Sequence, residues 1–256
     1  MIVKSDAVVL KSMKYGETSK IVTLYTRRYG KLRVVAKGAR QPKSKFGGSL
    51  EPMTHITAIF YRRENRELHT LSQAEIRSGY FRIHSNLEKL SIGLAIVDLV
   101  YACFHGEEEN ESTFRLLTQT LQLLDVANEN TRNVLFAFEG RLVSLLGFQP
   151  NFKSCAVCRG QLSLDGAKRE VIFDLARGGL LCARCEKDGT RKVKMSRTAC
   201  RALEVFLNGP LDAVTQLTLA RTLEKEVNEL LSSFFRYHVG GVKLFRSEEM
   251  LSRILQ

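Results

Sequence analysis

The fold of this chain is indicated most clearly by the segment Gly30-Lys-Leu-Arg-Val-Val-Ala-Lys-Gly-Ala-Arg-Gln-Pro-Lys-Ser-Lys-Phe-Gly-Gly48. From Lys31 to Lys37, apolar residues at every second position alternate with mostly cationic ones, the pattern of a half-buried strand. After Gly38 the alternation stops, and further cations follow among proline and glycine residues that are typical of a loop. The segment therefore predicts a strand and a loop that present positive charge to a polyanion. The alternative is a basic edge strand whose charges only prevent pairing with other sheets.

Four further strands are predicted around this one in residues 1–80. The five predicted strands are Ala7–Leu10, Ile21–Thr26, Lys31–Lys37, His55–Tyr61 and Leu68–Ile76. Turn residues separate them, and the connections leave no room for a helical crossover. This arrangement predicts a small antiparallel β-barrel, and the five-stranded barrel that binds single-stranded nucleic acid is the OB-fold. Periodicity alone does not distinguish an OB-fold from another small barrel.

From residue 81 onwards, apolar residues recur at spacings of three and four, which is the period of a helix. The predicted helices cover Leu87–Tyr101, Phe114–Leu124, Val134–Leu146, a segment from the N-cap Ser196 to Gly209, and Leu219–Val239. The first of them is apolar nearly all round, which indicates a central position. The acidic stretch Glu107–Glu111 predicts a loop.

Four cysteines form two C-x-x-C pairs, Cys155 with Cys158 and Cys182 with Cys185, separated by the 23 residues 159–181. This spacing matches a zinc ribbon, in which four thiolates bind one structural zinc ion and leave no open position for catalysis. The alternatives are free thiols left from a lost site, or a redox pair. A redox motif would have one pair in a βαβ context, and neither condition is met. The other two cysteines, Cys103 and Cys200, lie within helical patterns and are expected in the core.

Together these patterns predict a multidomain α+β protein. We expect an OB-fold barrel over residues 1–80 and a helical domain over residues 81–150 and 192–256. A zinc-ribbon-like module over residues 151–191 is expected to interrupt the helical domain.

The positive charge of the chain is concentrated in the predicted barrel. The chain has 256 residues and a net charge of +12, and residues 1–80 contain 16 basic and six acidic residues, a net charge of +10. A local excess of this kind indicates a surface that binds phosphate groups, although an anionic membrane surface would also attract it. The N-terminus does not resemble a secretory signal, and the longest apolar run, Leu90–Phe104, contains Ser91 and Asp98 and is too short to span a bilayer. We therefore expect a soluble protein with no membrane partner.

Motifs of the common nucleotide-dependent and metal-dependent enzymes do not occur. The sequence has no G-x-x-x-x-G-K-[ST] loop, no G-x-G-x-x-G after a strand and no H-E-x-x-H. Its five histidines are scattered, and none lies beside a candidate nucleophile in sequence. We therefore expect a protein that is not an enzyme.

Three N-terminal segments carry a resemblance to a known family: Lys14-Tyr-Gly-Glu-Thr-Ser-Lys-Ile-Val-Thr-Leu-Tyr-Thr26, Gly30 to Arg40, and Lys43-Ser-Lys-Phe-Gly-Gly-Ser-Leu-Glu-Pro52. They resemble the signature of the RecO family of bacterial DNA repair proteins. The order of the predicted parts agrees along the whole chain. Because the chain has all four cysteines, it is similar to the zinc-bearing branch of that family.

The resemblance implies a recombination mediator in the bacterial cytosol, at the nucleoid. Such a protein binds single- and double-stranded DNA and anneals complementary strands. It works with RecR, and often with RecF, to load RecA onto strands coated by the single-stranded-DNA-binding protein. The resemblance also implies contact with the acidic C-terminal tail of that coating protein.

Nine cations are predicted to contact DNA phosphates: Lys31, Arg33, Lys37, Arg40, Lys43, Lys45, Arg62, Arg63 and Arg66. Arg27 and Arg28 are predicted to extend this set. Five aromatic residues are available for base stacking, of which at least half are expected in the barrel core: Tyr15, Tyr25, Tyr29, Phe46 and Tyr61. Two rival functions remain open, a protein-interaction scaffold whose basic barrel docks acidic tails, and a metal-dependent nucleic-acid enzyme.

Overall fold

The computed structural model describes residues 1–63, 66–163, 170–188 and 191–240. They divide into two compact units, whose described parts are residues 1–126 and residues 127–240. The first unit therefore contains three of the helices together with the barrel. The domain boundaries predicted from the sequence describe parts of the chain that could fold independently. The division into compact units does not test independent folding, so these boundaries stay a prediction. Residues 241–256 of the predicted helical domain lie outside the described residues.

The first unit contains a closed five-stranded barrel. Its strands are β1 (Ile2–Tyr15), β2 (Ser19–Thr26), β3 (Gly30–Ala36), β4 (His55–Tyr61) and β5 (Leu68–Ser78). They follow one another around the barrel in the order β1-β2-β3-β5-β4, and all neighbours are antiparallel except β3 and β5. This order and the closure confirm the predicted OB-fold.

The first strand is much longer than the sequence indicated. β1 pairs with β4 along its first half and with β2 along its second half, and a bulge between Val9 and Lys11 marks the change. Only residues 7–10 were predicted as strand, because the alternation before them is weak. Val3 and Ser5 nevertheless both point inward and are buried. A polar residue on the buried face therefore concealed the first residues of the strand, Ile2 to Asp6, from a prediction based on hydrophobicity.

Three helices complete the first unit: α1 (Phe81–His84), α2 (Leu87–Cys103) and α3 (Glu111–Val126). Asn86 caps α2, since its side chain accepts a hydrogen bond from the Lys89 amide at 3.0 Å. Helix α2 is buried on most sides and packs against β1 and α3, which confirms its predicted central position. The acidic stretch begins as the predicted loop, but Glu111 already belongs to α3.

The second unit is built from three long helices and a small sheet. The helices are α4 (Thr131–Leu145), α5 (Arg197–Asn208) and α6 (Arg221–Val239), and the strands are β6 (Glu170–Asp174), β7 (Gly179–Leu181) and β8 (Lys192–Ser196). The strands form an antiparallel sheet in the order β7-β6-β8. Ser196 ends β8 and caps α5 as predicted, with its hydroxyl accepting from the Ala199 amide at 3.1 Å. The third strand of the sheet thus leads directly into a helix.

Aromatic packing joins this sheet to the helices of the same unit. The ring of Phe173 on β6 lies 5.5 Å from that of Phe152 and 5.8 Å from that of Phe234 on α6. Among the helices of the described residues, none is long and apolar enough to cross a membrane.

Candidate nucleic-acid interface and metal centre

Strand β3 presents the charge that its sequence pattern predicts. Leu32, Val34 and Ala36 point into the barrel core and are buried, whereas Arg33 between them is exposed. Arg33 pairs with Thr23 on β2, and Thr23 pairs in turn with Lys11 on β1. Residues paired in this way have their side chains on the same side of a sheet. Lys11 is therefore a neighbour of Arg33 on the outer surface, and no local pattern in the sequence pointed to it.

Two of the predicted phosphate ligands are engaged with the protein. Lys31 Nζ donates to the Tyr101 carbonyl oxygen at 2.7 Å and lies 4.6 Å from the centre of the Tyr101 ring. Burial lowers the pKa of Lys31. Arg62 Nε donates to Glu107 Oε2 at 2.8 Å, and its guanidinium lies 5.2 Å from the Tyr29 ring centre. Both cations are thus held by groups of the first unit.

Arg40 has a structural position in the loop that follows β3. Its Nη1 atom donates to the carbonyl oxygens of Gly16 and Glu17, at 3.0 Å each, in the turn between β1 and β2. Phe46 anchors the other end of the loop because its side chain is buried in the barrel core. The neighbouring Lys45 keeps its ammonium 5.3 Å from the Phe46 ring centre. The loop is therefore tied to the barrel at both ends.

The remaining predicted cations have no partner among the residues that the structure describes. Within the described ranges, the side chains of five of them form no hydrogen bond or ion pair: Arg33, Lys37, Lys43, Arg63 and Arg66. All five are exposed. The structure therefore separates the nine predicted cations into those already bound to the protein and those available for an external anion.

The five candidate stacking residues differ in their exposure. Tyr25 and Phe46 are buried in the barrel, and burial raises the pKa of Tyr25 to about 12. Tyr29 is half-buried and packs edge-on against Phe60. Tyr15 and Tyr61 are exposed by 51% and 46%, so they alone of the five offer an open ring face.

An acidic loop that sequence reasoning left unconnected binds to the barrel. Glu107 accepts hydrogen bonds from Arg62 and from His69 Nε2, the latter at 2.6 Å, and Glu111 forms an ion pair with Arg27. His69 is almost fully buried, and its Nδ1 atom accepts from the Arg63 amide at 3.3 Å. The nitrogen that faces Glu107 is therefore the protonated one. The opposite charges of the two segments were visible in the sequence, but nothing local indicated that they meet.

The four cysteines predicted to bind metal come together in the second unit. The Sγ atoms of Cys155, Cys158, Cys182 and Cys185 all lie within 4.8 Å of one another. Each pair lies on a tight turn, closed by hydrogen bonds from the Arg159 amide to the Cys155 carbonyl and from the Cys185 amide to the Cys182 carbonyl. Four sulfur atoms at this separation match the ligand set of a tetrahedral metal site. The four cysteines thus form a group that could hold a metal ion.

Hydrogen bonds from backbone amides stabilise negative charge on a sulfur of this cluster. Burial raises the pKa of Cys155, but hydrogen bonds from the amides of residues 182, 158 and 157 outweigh it and lower the pKa to about 6. The Cys182 amide, for example, donates to Cys155 Sγ at 3.4 Å. The neighbouring sulfur of Cys182 and burial raise the pKa of Cys185 to about 12. A cation among the sulfurs would reverse that effect, because a coordinated thiol loses its proton.

Fold and site together define a class: an OB-fold barrel protein with exposed cations on the barrel and a four-cysteine cluster that can hold a metal. Comparison with known families agrees. Residues 1–80 match the family described as "Recombination protein O N terminal", and residues 84–248 match "Recombination protein O C terminal". The chain belongs to the RecO family of DNA repair proteins.

Curated relatives are similar over nearly their full length. The "DNA repair protein RecO" of Salinibacter ruber is 36% identical over 99% of this chain and 94% of its own length. The protein of the same name from Chloroherpeton thalassium is 32% identical over all of both chains, and that from Desulforamulus reducens is 32% identical over 99% and 95%. Their names describe a role in DNA repair and no enzymatic activity.

Proposed function

We propose that this chain is a recombination mediator that binds single-stranded DNA and anneals complementary strands. In this proposal it also helps to load a recombinase onto strands coated by the single-stranded-DNA-binding protein. The observation that carries the proposal is a set of exposed cations on a closed OB-fold barrel that have no partner in the described part of the chain. Membership in a family of DNA repair proteins supports it.

Annealing requires no covalent chemistry. Two strands repel each other, and a cationic surface that neutralises their phosphates removes most of that repulsion. Contacts to phosphates also leave the base edges free to pair, and they carry no sequence information. The proposed activity is therefore a property of surface charge, with weak sequence preference.

The nine predicted cations are proposed to contribute unequally. Those with no partner among the described residues, together with Lys45, are proposed to contact phosphates directly. Lys31, Arg40 and Arg62 already donate to oxygen atoms of the protein, so we propose that they mainly position the strand, the loop and the acidic segment. Tyr15 and Tyr61 are proposed to stack on bases, each stacked base contributing about 1–3 kcal/mol.

We further propose that the ion held by the four cysteines is zinc. Four thiolates form the closed tetrahedral site that structural zinc prefers, and such an ion would stabilise the fold around it. The chain's own contribution is to hold the sulfurs on two tight turns and to direct amides at them. In this proposal residues 151–191 are a zinc-ribbon-like insertion between the helical residues 81–150 and 192–256.

Partners and location follow from the same proposal. A mediator of this kind would work in the bacterial cytosol at the nucleoid, on single- and double-stranded DNA. It would act with RecR and often RecF, and it would contact the acidic C-terminal tail of the single-stranded-DNA-binding protein.

Binding of oligo-dT across a salt series tests the phosphate contacts. Each lost contact to a single strand flattens the log–log salt slope by roughly 0.7. In the variant Arg33→Ala, Lys37→Ala, Lys43→Ala, Lys45→Ala we expect the slope to fall by about 1.4–2.8. Strand annealing by the same variant is expected to slow in parallel.

A control variant removes the same charge elsewhere. Arg82, Arg221, Lys225 and Arg236 are exposed cations outside the barrel, and their joint change to Ala should leave the slope unchanged. If both variants retain the wild-type slope, DNA does not bind at β3 and its loop. If the salt slope flattens equally in the barrel variant and the control variant, binding depends only on net charge, and the assignment of DNA binding to the barrel residues fails.

One observation favours the rival scaffold function. An acidic segment of the chain itself, around Glu107 and Glu111, already binds cations of the barrel. The same cations could dock the acidic tail of another protein. A synthetic acidic peptide that binds the barrel tightly while oligo-dT binds weakly at all salt concentrations would favour the scaffold over the mediator.

A further inference from the structure

One end of the barrel is in contact with an acidic segment of the same unit. Strands β3 and β5 are parallel, so both begin at this end, where the β2–β3 turn and the β4–β5 connection also lie. Residues 105–111, which we call the strap, lead from α2 into α3 and contain four glutamates. The turn and the connection contain five arginines: Arg27, Arg28, Arg62, Arg63 and Arg66. Segments of opposite charge thus meet at this end of the barrel.

The backbone of the strap rests directly on the start of β3. The Lys31 amide donates to the Gly106 carbonyl oxygen at 3.1 Å. Gly30 has a φ of +56°, and a Cβ there would lie 2.2 Å from the Glu108 carbonyl oxygen. Only a glycine combines this backbone conformation with so close an approach. The barrel is therefore shaped to receive the strap.

Two glutamates of the strap each hold a cation of the barrel. Glu107 accepts hydrogen bonds from Arg62 Nε at 2.8 Å and from His69 Nε2 at 2.6 Å, and the His69 side chain is buried. Glu111 forms an ion pair with Arg27. The strap thus occupies two cations that could otherwise bind an external anion.

The contacts of the strap are selective. Glu108 and Glu109 lie between the two engaged glutamates, but they are exposed and form no ion pair with any residue that the structure describes. Arg63 and Arg66, at the same end of the barrel, are exposed as well. Exposed cations therefore lie at the same end as cations that the strap covers, and a polyanion bound to the exposed ones would compete with the strap for the others.

From these contacts we propose that the strap is an autoinhibitory element, which an extended polyanion displaces from Arg27 and Arg62. This inference rests on the proposed function, in which the polyanion is a DNA strand. Each displacement replaces a bond to a carboxylate by an equivalent bond to a phosphate. A strand already held by the exposed cations presents its next phosphates at high effective concentration, whereas a small anion lacks this advantage. The strap therefore makes the barrel select extended strands over small anions.

Binding of oligo-dT at 0.1 M salt tests the strap with two variants of equal charge. In the full chain carrying Glu107→Gln and Glu111→Gln, we expect the Kd to fall by about tenfold, the value of one charge-assisted contact. Glu108→Gln with Glu109→Gln makes the same change of net charge and should lower the Kd by less than about twofold, because solvent screens these exposed charges. Equal Kd values in the two variants would overturn the inference.

A single change guards against loss of stability in the first variant. The pair of Glu111 with Arg27 is about half exposed on both sides, so Glu111→Gln should unfold no part of the barrel. We expect it to lower the Kd for oligo-dT by about threefold, with Glu109→Gln as its control. A Kd equal to that of the control would count against the strap.

Hydrogen exchange at the Lys31 amide follows the strap in the wild type. Because this amide donates to the strap, saturating oligo-dT should make it exchange faster. Unchanged or slower exchange would mean that DNA binds while the strap stays in place, and the inference would be wrong.

The four-residue barrel variant described under the proposed function separates the two proposals. If that variant flattens the salt slope while Glu107→Gln with Glu111→Gln binds like its control, the strap inference falls and the proposed function stands. If only the strap variant changes binding, DNA binds at this end of the barrel, and the assignment to β3 and its loop fails. If neither variant has an effect, oligo-dT does not bind to the barrel and both proposals fall.

Discussion

Replacing Glu107 by Gln is expected to destabilise the first unit. Glu107 joins the acidic loop to two parts of the barrel, since it accepts from Arg62 Nε at 2.8 Å and from His69 Nε2 at 2.6 Å. The Glu107 side chain is 24% exposed and that of His69 only 1%, so water replaces these bonds poorly. A glutamine has one acceptor oxygen, and its NH₂ group would face a second donor.

The magnitude follows from the bonds that change. A hydrogen bond to a charged group contributes about 1.5–3 kcal/mol and a neutral one about 1 kcal/mol. Glu107→Gln loses two bonds to a carboxylate and keeps one neutral bond. Partial exposure of the ion pair with Arg62 reduces the loss, and we expect a decrease in the unfolding free energy of about 2–3 kcal/mol.

The effect should depend on pH. Burial raises the pKa of Glu107, but the hydrogen bonds from His69 and Arg62 and the charge of Arg62 outweigh it and hold the pKa below its ordinary value of 4.5. A carboxyl group with a depressed pKa stabilises the fold above its ordinary pKa, and this contribution is lost as the pH falls through the folded-state value. The difference between wild type and Glu107→Gln should thus be constant near neutral pH and shrink in acid.

Hydrogen exchange measures this loss in the first unit alone. Amides of β4 and β5 should exchange faster in Glu107→Gln by about 30- to 150-fold, the ratio that corresponds to 2–3 kcal/mol. Glu108→Gln changes an exposed neighbour in the same loop and should have little effect. Equal exchange in the two variants, or a difference that grows in acid, would refute this account of the loop.

Two other changes test the turn that meets this loop and the metal centre. Gly30 has φ +56°, and a Cβ there would lie 2.2 Å from the Glu108 carbonyl oxygen. Gly30→Ala should therefore lower the melting temperature far more than the control Gly16→Ala, because Gly16 has a similar φ of +57° but open space around it. Equal shifts in the two variants would mean that the acidic loop does not rest on β3. Cys155→Ser should reduce the zinc content, which metal analysis should find at about one ion per chain in the wild type, and it should loosen the cysteine cluster. Oligo-dT binding by the barrel, measured in the binding assay, should stay largely intact. Wild-type protein purified without zinc would contradict the proposed metal.

Local patterns in the sequence account for most of the fold. The period-2 alternation of β3 predicted which of its residues are buried, since side chains alternate across any strand. Ser196 predicted the start of α5, because a cap acts on the amides immediately after it. The two cysteine pairs predicted a metal site, because the spacing within each pair already places two sulfurs on one turn.

Tertiary structure decided which of the predicted groups are available. Lys31 and Arg33 are equivalent in the sequence pattern, yet Lys31 donates to Tyr101, 70 residues further along the chain, and Arg33 extends into solvent. Phe46 looked like a stacking residue in a loop but is buried in the barrel core. Neither outcome follows from neighbours in sequence. Strands and helix caps depend on interactions among a few neighbouring residues, so a short stretch of sequence is enough to predict them. The partner of a charge or an aromatic ring lies in a distant segment that only folding brings close.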